Sequence, residues 1–105
     1  MKIKTIKVSF YLRYHTTYGQ SIWIYGNHPL LGSGDPQKAQ PLVYLNENYW
    51  KTDFIFPLTD QKIEYHYILR DESGKEILEW GNDKFIDLKS ISVEQFQCID
   101  TWNDE

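Results

Sequence analysis

The sequence predicts an all-β fold, an antiparallel β-sandwich of seven to eight short strands. Three observations predict it. Apolar residues recur with a period of two along most of the chain, the pattern of strands with one buried face. Turn-forming clusters punctuate the chain at roughly 8–12-residue spacing. Finally, 105 residues make one domain whose single core buries about two-thirds of the unfolded surface, which leaves no room for a large enclosed active site.

The elements follow in order. Ile6, Val8, Phe10 and Leu12 alternate with Lys7, Ser9, Tyr11 and Arg13, and Thr17-Tyr18-Gly19-Gln20 breaks that strand. Ile22 and Ile24 alternate with Trp23 and Tyr25 until Gly26-Asn27 stops the second. Residues 28–41 carry Pro29, Pro36, Pro41, Gly32 and Gly34 and read as a long loop. Residues 42–45 are a short strand. Trp50, Phe54 and Phe56 alternate with Lys51, Asp53 and Ile55 as far as Pro57. Ile63, Tyr65, Tyr67 and Leu69 alternate with Glu64, His66, Ile68 and Arg70. Residues 71–75 are a turn by composition, residues 76–80 return from it, and 84–88 and 95–100 are two final strands. Ser92 to Gln97 has a weak N-cap and a single helical turn as its alternative. This count and spacing suit a sandwich of immunoglobulin-like type.

Composition narrows the function classes. Net charge is −4 with no basic run, against a grip on nucleic acid. No run approaches the ~20 apolar residues of a membrane span, and Met1 is followed by alternating rather than continuous apolar residues. The expectation is a soluble, cytoplasmic domain. The single cysteine, Cys98, forms no internal disulfide or multi-cysteine zinc site and reads as a small buried hydrophobe. His15, His28 and His66 are widely separated, without the paired spacing of metal ligands. No nucleophile elbow, phosphate-binding glycine loop or zinc-protease motif occurs, and fifteen scattered acids single out no catalytic pair. The expectation is a domain with no catalytic residues, no metal and no cofactor.

Aromatic residues are the unusual feature: four tryptophans and eight tyrosines. Tyr65 and Tyr67 share the core parity. Trp23 and Tyr25 have the opposite parity, Tyr18 sits in a loop beside Gly19, and Trp80 lies where a strand runs into a polar turn. Trp50 shares the parity of Phe54 and Phe56. If the five-residue turn closes its hairpin evenly, Arg70 faces Glu76, Ile68 faces Leu78 and His66 faces Trp80, and the charge complementarity of the first pair supports that register. His66 and Trp80 then stand side by side on the outer face, with Asn82 nearby. A flat ring beside hydrogen-bonding groups suits a sugar: the C–H face of a pyranose lies on the indole, and imidazole and amide reach its hydroxyls. Such a platform is cheap to order, because aromatic side chains have few soft torsions. The competing use of an outward tryptophan is satellite core beneath a loop.

Read in order, these motifs resemble the family 20 carbohydrate-binding modules, the starch-binding domains. The residues that carry the resemblance are Thr16-Thr17-Tyr18-Gly19-Gln20, Ile24-Tyr25-Gly26-Asn27 with Leu30-Leu31-Gly32, Trp50, Glu64-Tyr65-His66-Tyr67, Trp80-Gly81-Asn82-Asp83-Lys84 and Asp100-Thr101-Trp102. The resemblance covers about residues 5–102. It implies a non-catalytic module that binds α-1,4-glucan (starch, glycogen or maltodextrin) at up to two sites.

One implied site uses Trp80, with His66 in place of a lysine and Asn82 or Asp83 in place of an asparagine. The family's second tryptophan of that site is missing: Gly34 stands there, which implies weaker binding or a substitute ring from Trp23 or His28. The other implied site uses Tyr18 and Trp50, and its further tyrosine has no clear counterpart beyond Tyr44 or Tyr49. The chain most resembles the N-terminal module of the two-module, cytosolic family 77 4-α-glucanotransferases. On that resemblance residues 1–105 are one module excised from a longer enzyme, a linker begins at 103–105, and the partners are an α-glucan, an adjacent module and a catalytic domain. The alternatives are a degenerate module used for interdomain docking, or a sandwich that binds protein through strand edges and aromatic patches.

Overall fold

The alternating stretches fold into strands that pair as two sheets. The computed structural model describes residues 5–57, 62–79, 81, 84–88 and 95–102. Within them lie β1 (Thr5–Arg13), β2 (Ser21–Gly26), β3 (Gln40–Pro41), β4 (Val43–Asn46), β5 (Tyr49–Pro57), β6 (Lys62–Arg70), β7 (Glu76–Leu78), β8 (Phe85–Asp87) and β9 (Gln95–Thr101). No described residue is α-helical. One sheet runs β4-β5-β1-β9; the other runs β3-β2-β6-β7, with β8 also paired to β6. The sandwich is the predicted all-β architecture.

Inward residues of both sheets make one core: Ile6, Val8, Phe10 and Leu12 from β1, Ile22 and Ile24 from β2, Phe56 from β5, and Ile63, Tyr65 and Tyr67 from β6. Each set is the even or odd half of an alternating run, as a half-buried strand requires. Cys98 is part of the core, as its small-hydrophobe reading expects. The hairpin register is the evenly closed one, with Arg70 opposite Glu76 and Ile68 opposite Leu78. Arg70 and Glu76 form an ion pair there.

Three features differ from the sequence reading. The short strand expected at 42–45 is β4, which pairs with β5, but the loop expected at 28–41 ends in a further short strand, β3, which pairs with β2 in the other sheet. The buried Leu42 between them gives its N–H to the Ile22 carbonyl at 2.9 Å, so the chain changes sheets there without orphaning that donor. Second, the sandwich is not wholly antiparallel, because β9 lies parallel to β1. Third, the 28–41 loop contains two 3₁₀ turns, Pro29–Leu31 and Pro36–Lys38. Each starts with proline, whose fixed φ suits that position, behind a capping side chain: His28 accepts from Leu30 N and Asp35 from Gln37 N. Gln95 to Gln97 belong to β9, whereas Ser92 to Glu94 of the proposed helical turn lie outside the described residues.

The topology of β6 positions the loop that matters most. Along one edge, its C-terminal half pairs with β7 (Arg70 with Glu76) and its N-terminal half with β8 (Glu64 with Phe85). The chain between β7 and β8 therefore leaves and rejoins the sheet opposite the middle of one strand, where His66 sits.

Candidate functional site

The outer face of the five-stranded sheet carries the first group of candidate residues. Odd positions of β2 and even positions of β6 point outward, so Tyr25 and His66 are cross-strand partners. Their rings stack, centroids 5.4 Å apart and planes 23° from parallel. His66 Nε2 lies 2.8 Å from the Gly81 carbonyl oxygen. A carbonyl can only accept, so Nε2 carries the proton in this bond. Glu79, wholly covered, accepts from Tyr67 N at 3.3 Å and from Lys84 Nζ at 2.6 Å. The neck of the loop is thus closed by an ion pair whose side chains are only 1% and 11% exposed. Burial, and then the negative charge of Glu79, push the Tyr25 hydroxyl above the ordinary phenol range. Trp80 and Asn82, the sugar-stacking and hydrogen-bonding residues expected on this loop, lie outside the described residues, as does Asp83.

The two suggested substitutes for a ring at position 34 differ in availability. Trp23 is outward and half-buried, its indole N–H given to Ser21 Oγ at 2.8 Å. The Arg70 guanidinium lies over that ring, 4.2 Å from its centroid, a contact that occupies an aromatic face. His28 is no substitute. Its ring is buried edge-on to Phe56, centroids 4.8 Å apart, and its Nδ1 is spent on capping a 3₁₀ turn. Burial lowers its basicity below the usual histidine range.

The second group lies around the end of β1: Tyr18 in the loop after it, Trp50 on β5 opposite Leu12, and Tyr44 on β4 opposite Trp50. Tyr18 is 97% exposed. The turn that presents it is built by its neighbours: Gln20 N donates to Thr17 O at 3.1 Å, and Thr17 N donates to Gln20 Oε1 at 2.7 Å. Gly19 takes a φ of +88°, a conformation that only glycine enters cheaply. Trp50, by contrast, is 8% exposed and belongs to the core cluster. Its indole N–H donates to Thr16 Oγ1 at 3.3 Å, which ties it to the Tyr18 loop. Edge-on to it, at 5.5 Å, is Tyr44, which is 54% exposed. Of the two tyrosines considered as the further ring of this site, Tyr44 thus sits against Trp50; Tyr49 lies edge-on to Tyr11.

Sequence reasoning missed three contributors: Tyr25 as the stacking partner of His66, the Glu79–Lys84 neck, and Thr16 as the acceptor for Trp50. Parity alone signalled the first, since it put Tyr25 and His66 on outer faces. An open hollow of ≈ 410 Å³ lies near the second group, lined by Arg13, Tyr14, His15, Asn48, Thr101 and Trp102, and none of the five expected site residues lines it.

Comparison with known proteins fits this architecture. Residues 5–96 match the family model described as starch binding domain. The chain is 25% identical over 81 residues to a 4-alpha-glucanotransferase, DPE2, of Oryza sativa subsp. japonica; the match takes in 77% of this chain but only 9% of that enzyme. Among solved structures, the chain superposes on the family 15 glucoamylase of Hypocrea jecorina with a TM-score of 0.83 at 23% identity, over 95% of this chain and 17% of that one. It superposes on the family 20 carbohydrate-binding module of the maltotetraose-forming amylase of Pseudomonas saccharophila STB07 with a TM-score of 0.73 at 19% identity, over 92% of this chain and all of the other. These structures share the fold. The family match spans both sheets, from the first residue of β1 into β9, and so this chain belongs to the starch-binding domains, the non-catalytic family 20 carbohydrate-binding modules.

Proposed function

We propose that the chain binds α-1,4-glucan, as starch, glycogen or maltodextrin, by aromatic stacking, and directs an attached cytoplasmic 4-α-glucanotransferase or related amylolytic enzyme to it. One observation carries the reading. Tyr18 is 97% exposed on a turn closed by two hydrogen bonds between Thr17 and Gln20. The core gains nothing from this ring, and a rigid aromatic face held in solvent is the platform on which the apolar face of a sugar stacks. Trp50, which reaches the Tyr18 loop through Thr16, carries the exposed ring of Tyr44 against it. The His66 face, with Trp80 and Asn82 on its loop, is the second place for glucan. Membership of the family supports the substrate class, and the partial match to a much longer glucanotransferase supports the attached enzyme.

The test is calorimetric and fluorescence titration with β-cyclodextrin and maltoheptaose of the wild type, Tyr18→Ala and Trp80→Ala. Saturable binding weakened in one variant identifies the working site. Dissociation constants above about 1 mM, weaker than about −4 kcal/mol, for both ligands would remove the sugar reading of the isolated domain.

A second reading, interdomain docking, has its own observation. On the outer face of the four-stranded sheet, Val43, Lys51, Tyr11 and Ile99 form one cross-strand row, and Val43 and Ile99 are among the most exposed aliphatic side chains described. A neighbouring module that shifted the resonances of this row, with no sugar bound, would favour it.

A further inference from the structure

His66 stands where the resembled family has a lysine. We propose that His66 is a positioning residue, a strut that fixes Gly81 against the sheet, and not a hydrogen-bond donor to the sugar. The inference deepens the carbohydrate reading and rests on it only for its affinity arm.

The geometry carries it. A neutral imidazole has one N–H, and that proton is committed to the Gly81 carbonyl at 2.8 Å. The ring is held from behind by its stack on Tyr25 and from below by its place in the middle of β6, paired to β2. A planar ring clamped on one face with its donor pointing at backbone has no torsion left with which to follow a ligand. A lysine could not serve both ends: it lacks the flat face, and its four-carbon stem is mobile. The Glu79–Lys84 pair closes the neck of the same loop, and Glu79 also meets Tyr67 N. Glu79 and Lys84 are therefore held by their ion pair, and Gly81 between them by His66. Holding Glu79, Gly81 and Lys84 in place before a ligand arrives removes that part of the ordering entropy from the binding step.

The experiment uses the chain itself with His66→Phe, His66→Gln and His66→Lys. Amide hydrogen exchange is read over residues 79–84, with affinity for β-cyclodextrin and the thermal midpoint alongside. H66F keeps a ring on Tyr25 and loses the donor. Exchange across the loop should rise about tenfold, a local opening rather than a global one, and β-cyclodextrin should bind about fivefold more weakly, the loss of roughly one hydrogen bond. H66Q restores an N–H donor and should recover part of both. H66K should resemble H66F. Unchanged loop exchange in H66F overturns the strut, and so does H66K binding as tightly as the wild type. Should H66F fail to fold, the exchange of H66K decides in its place. If the wild type does not bind β-cyclodextrin while loop exchange still rises in the variants, the strut stands and the sugar reading falls.

Discussion

Tyr67, wholly buried on β6, donates its hydroxyl to Asp100 Oδ2 on β9 at 2.8 Å, and that bond joins the two sheets. Tyr65 donates to the same oxygen at 2.8 Å. Two phenols from one sheet thus converge on one carboxylate of the other. Burial, with the nearby acid, pushes both hydroxyls far above the ordinary phenol range. Asp100→Ala leaves two buried O–H groups unpaired and should cost about 2–4 kcal/mol, whereas Asp100→Asn, which keeps an amide oxygen, should cost about 1 kcal/mol. Urea unfolding of both variants measures the difference. The sign with pH follows: the folded state keeps protons that unfolded tyrosines release, so this contribution is lost as pH rises above about 10.

His28 gives a second pH dependence, of opposite direction. Burial holds its basicity below the ordinary histidine value, and Nδ1 accepts a backbone N–H, which a protonated ring cannot do. The unfolded chain therefore takes up this proton first, and stability falls as pH drops below about 6.5. His28→Asn retains a good cap without a titrating ring. Thermal midpoints at pH 7.5 and 5.5 should lie closer together in H28N than in the wild type.

Cys98 is a test of the core. Burial pushes its thiol up to about 12, against a smaller opposing effect of its hydrogen bond with Tyr65. A thiol of that kind is almost wholly protonated at pH 8. A chromogenic disulfide reagent at that pH should label it only as fast as the sandwich opens, and adding urea should accelerate labelling in step with unfolding. Prompt labelling of the folded chain would contradict the packing around β9.

How far the sequence foretold these features depends on which forces set them. The period of two located β1, β2, β5 and β6, because burial of one strand face is a local pattern. The even closure of the 71–75 turn placed Arg70 opposite Glu76, as observed. The change of sheets at Leu42 and the parallel pairing of β9 with β1 are long-range arrangements with no local signature. At the candidate sites, parity told outward from inward for Tyr25 and His66. It could not tell that the proton of His66 is spent on Gly81, nor that His28 points into the core beside Phe56. Both depend on where a loop returns in space.

Tyr18 and Trp50 should separate cleanly under mutation. Tyr18→Ala removes a ring with almost no burial, so unfolding free energy should change by less than about 0.5 kcal/mol, while affinity for maltoheptaose falls about tenfold, the worth of one good aromatic contact. Trp50→Ala empties part of the core and should cost about 3–5 kcal/mol, so any loss of binding it causes says little about contact. Tyr44→Ala is the informative partner, because its ring is exposed beside Trp50. Calorimetric titration with parallel thermal melts reads both quantities.

Gly34 offers the last test, since the resembled family carries its second tryptophan there. Gly32, Ser33 and Gly34 all have positive φ, +90°, +53° and +85°, and Gly34 N donates to the Gly26 carbonyl at 2.6 Å. A Cβ at position 34 would meet nothing within 4 Å, so a side chain has room but the backbone beneath it resists. Holding a non-glycine residue in that conformation costs about 1–2 kcal/mol. Gly34→Trp should therefore lower the unfolding free energy by about that amount, and Gly34→Asn by less, because asparagine tolerates the left-handed region. If the loop before β3 lies beside the Trp80 loop as the resemblance implies, the new indole should tighten β-cyclodextrin binding by about tenfold. A variant that pays the strain and gains no affinity would place position 34 outside the sugar surface, and calorimetry on G34W and G34N together tells the two apart.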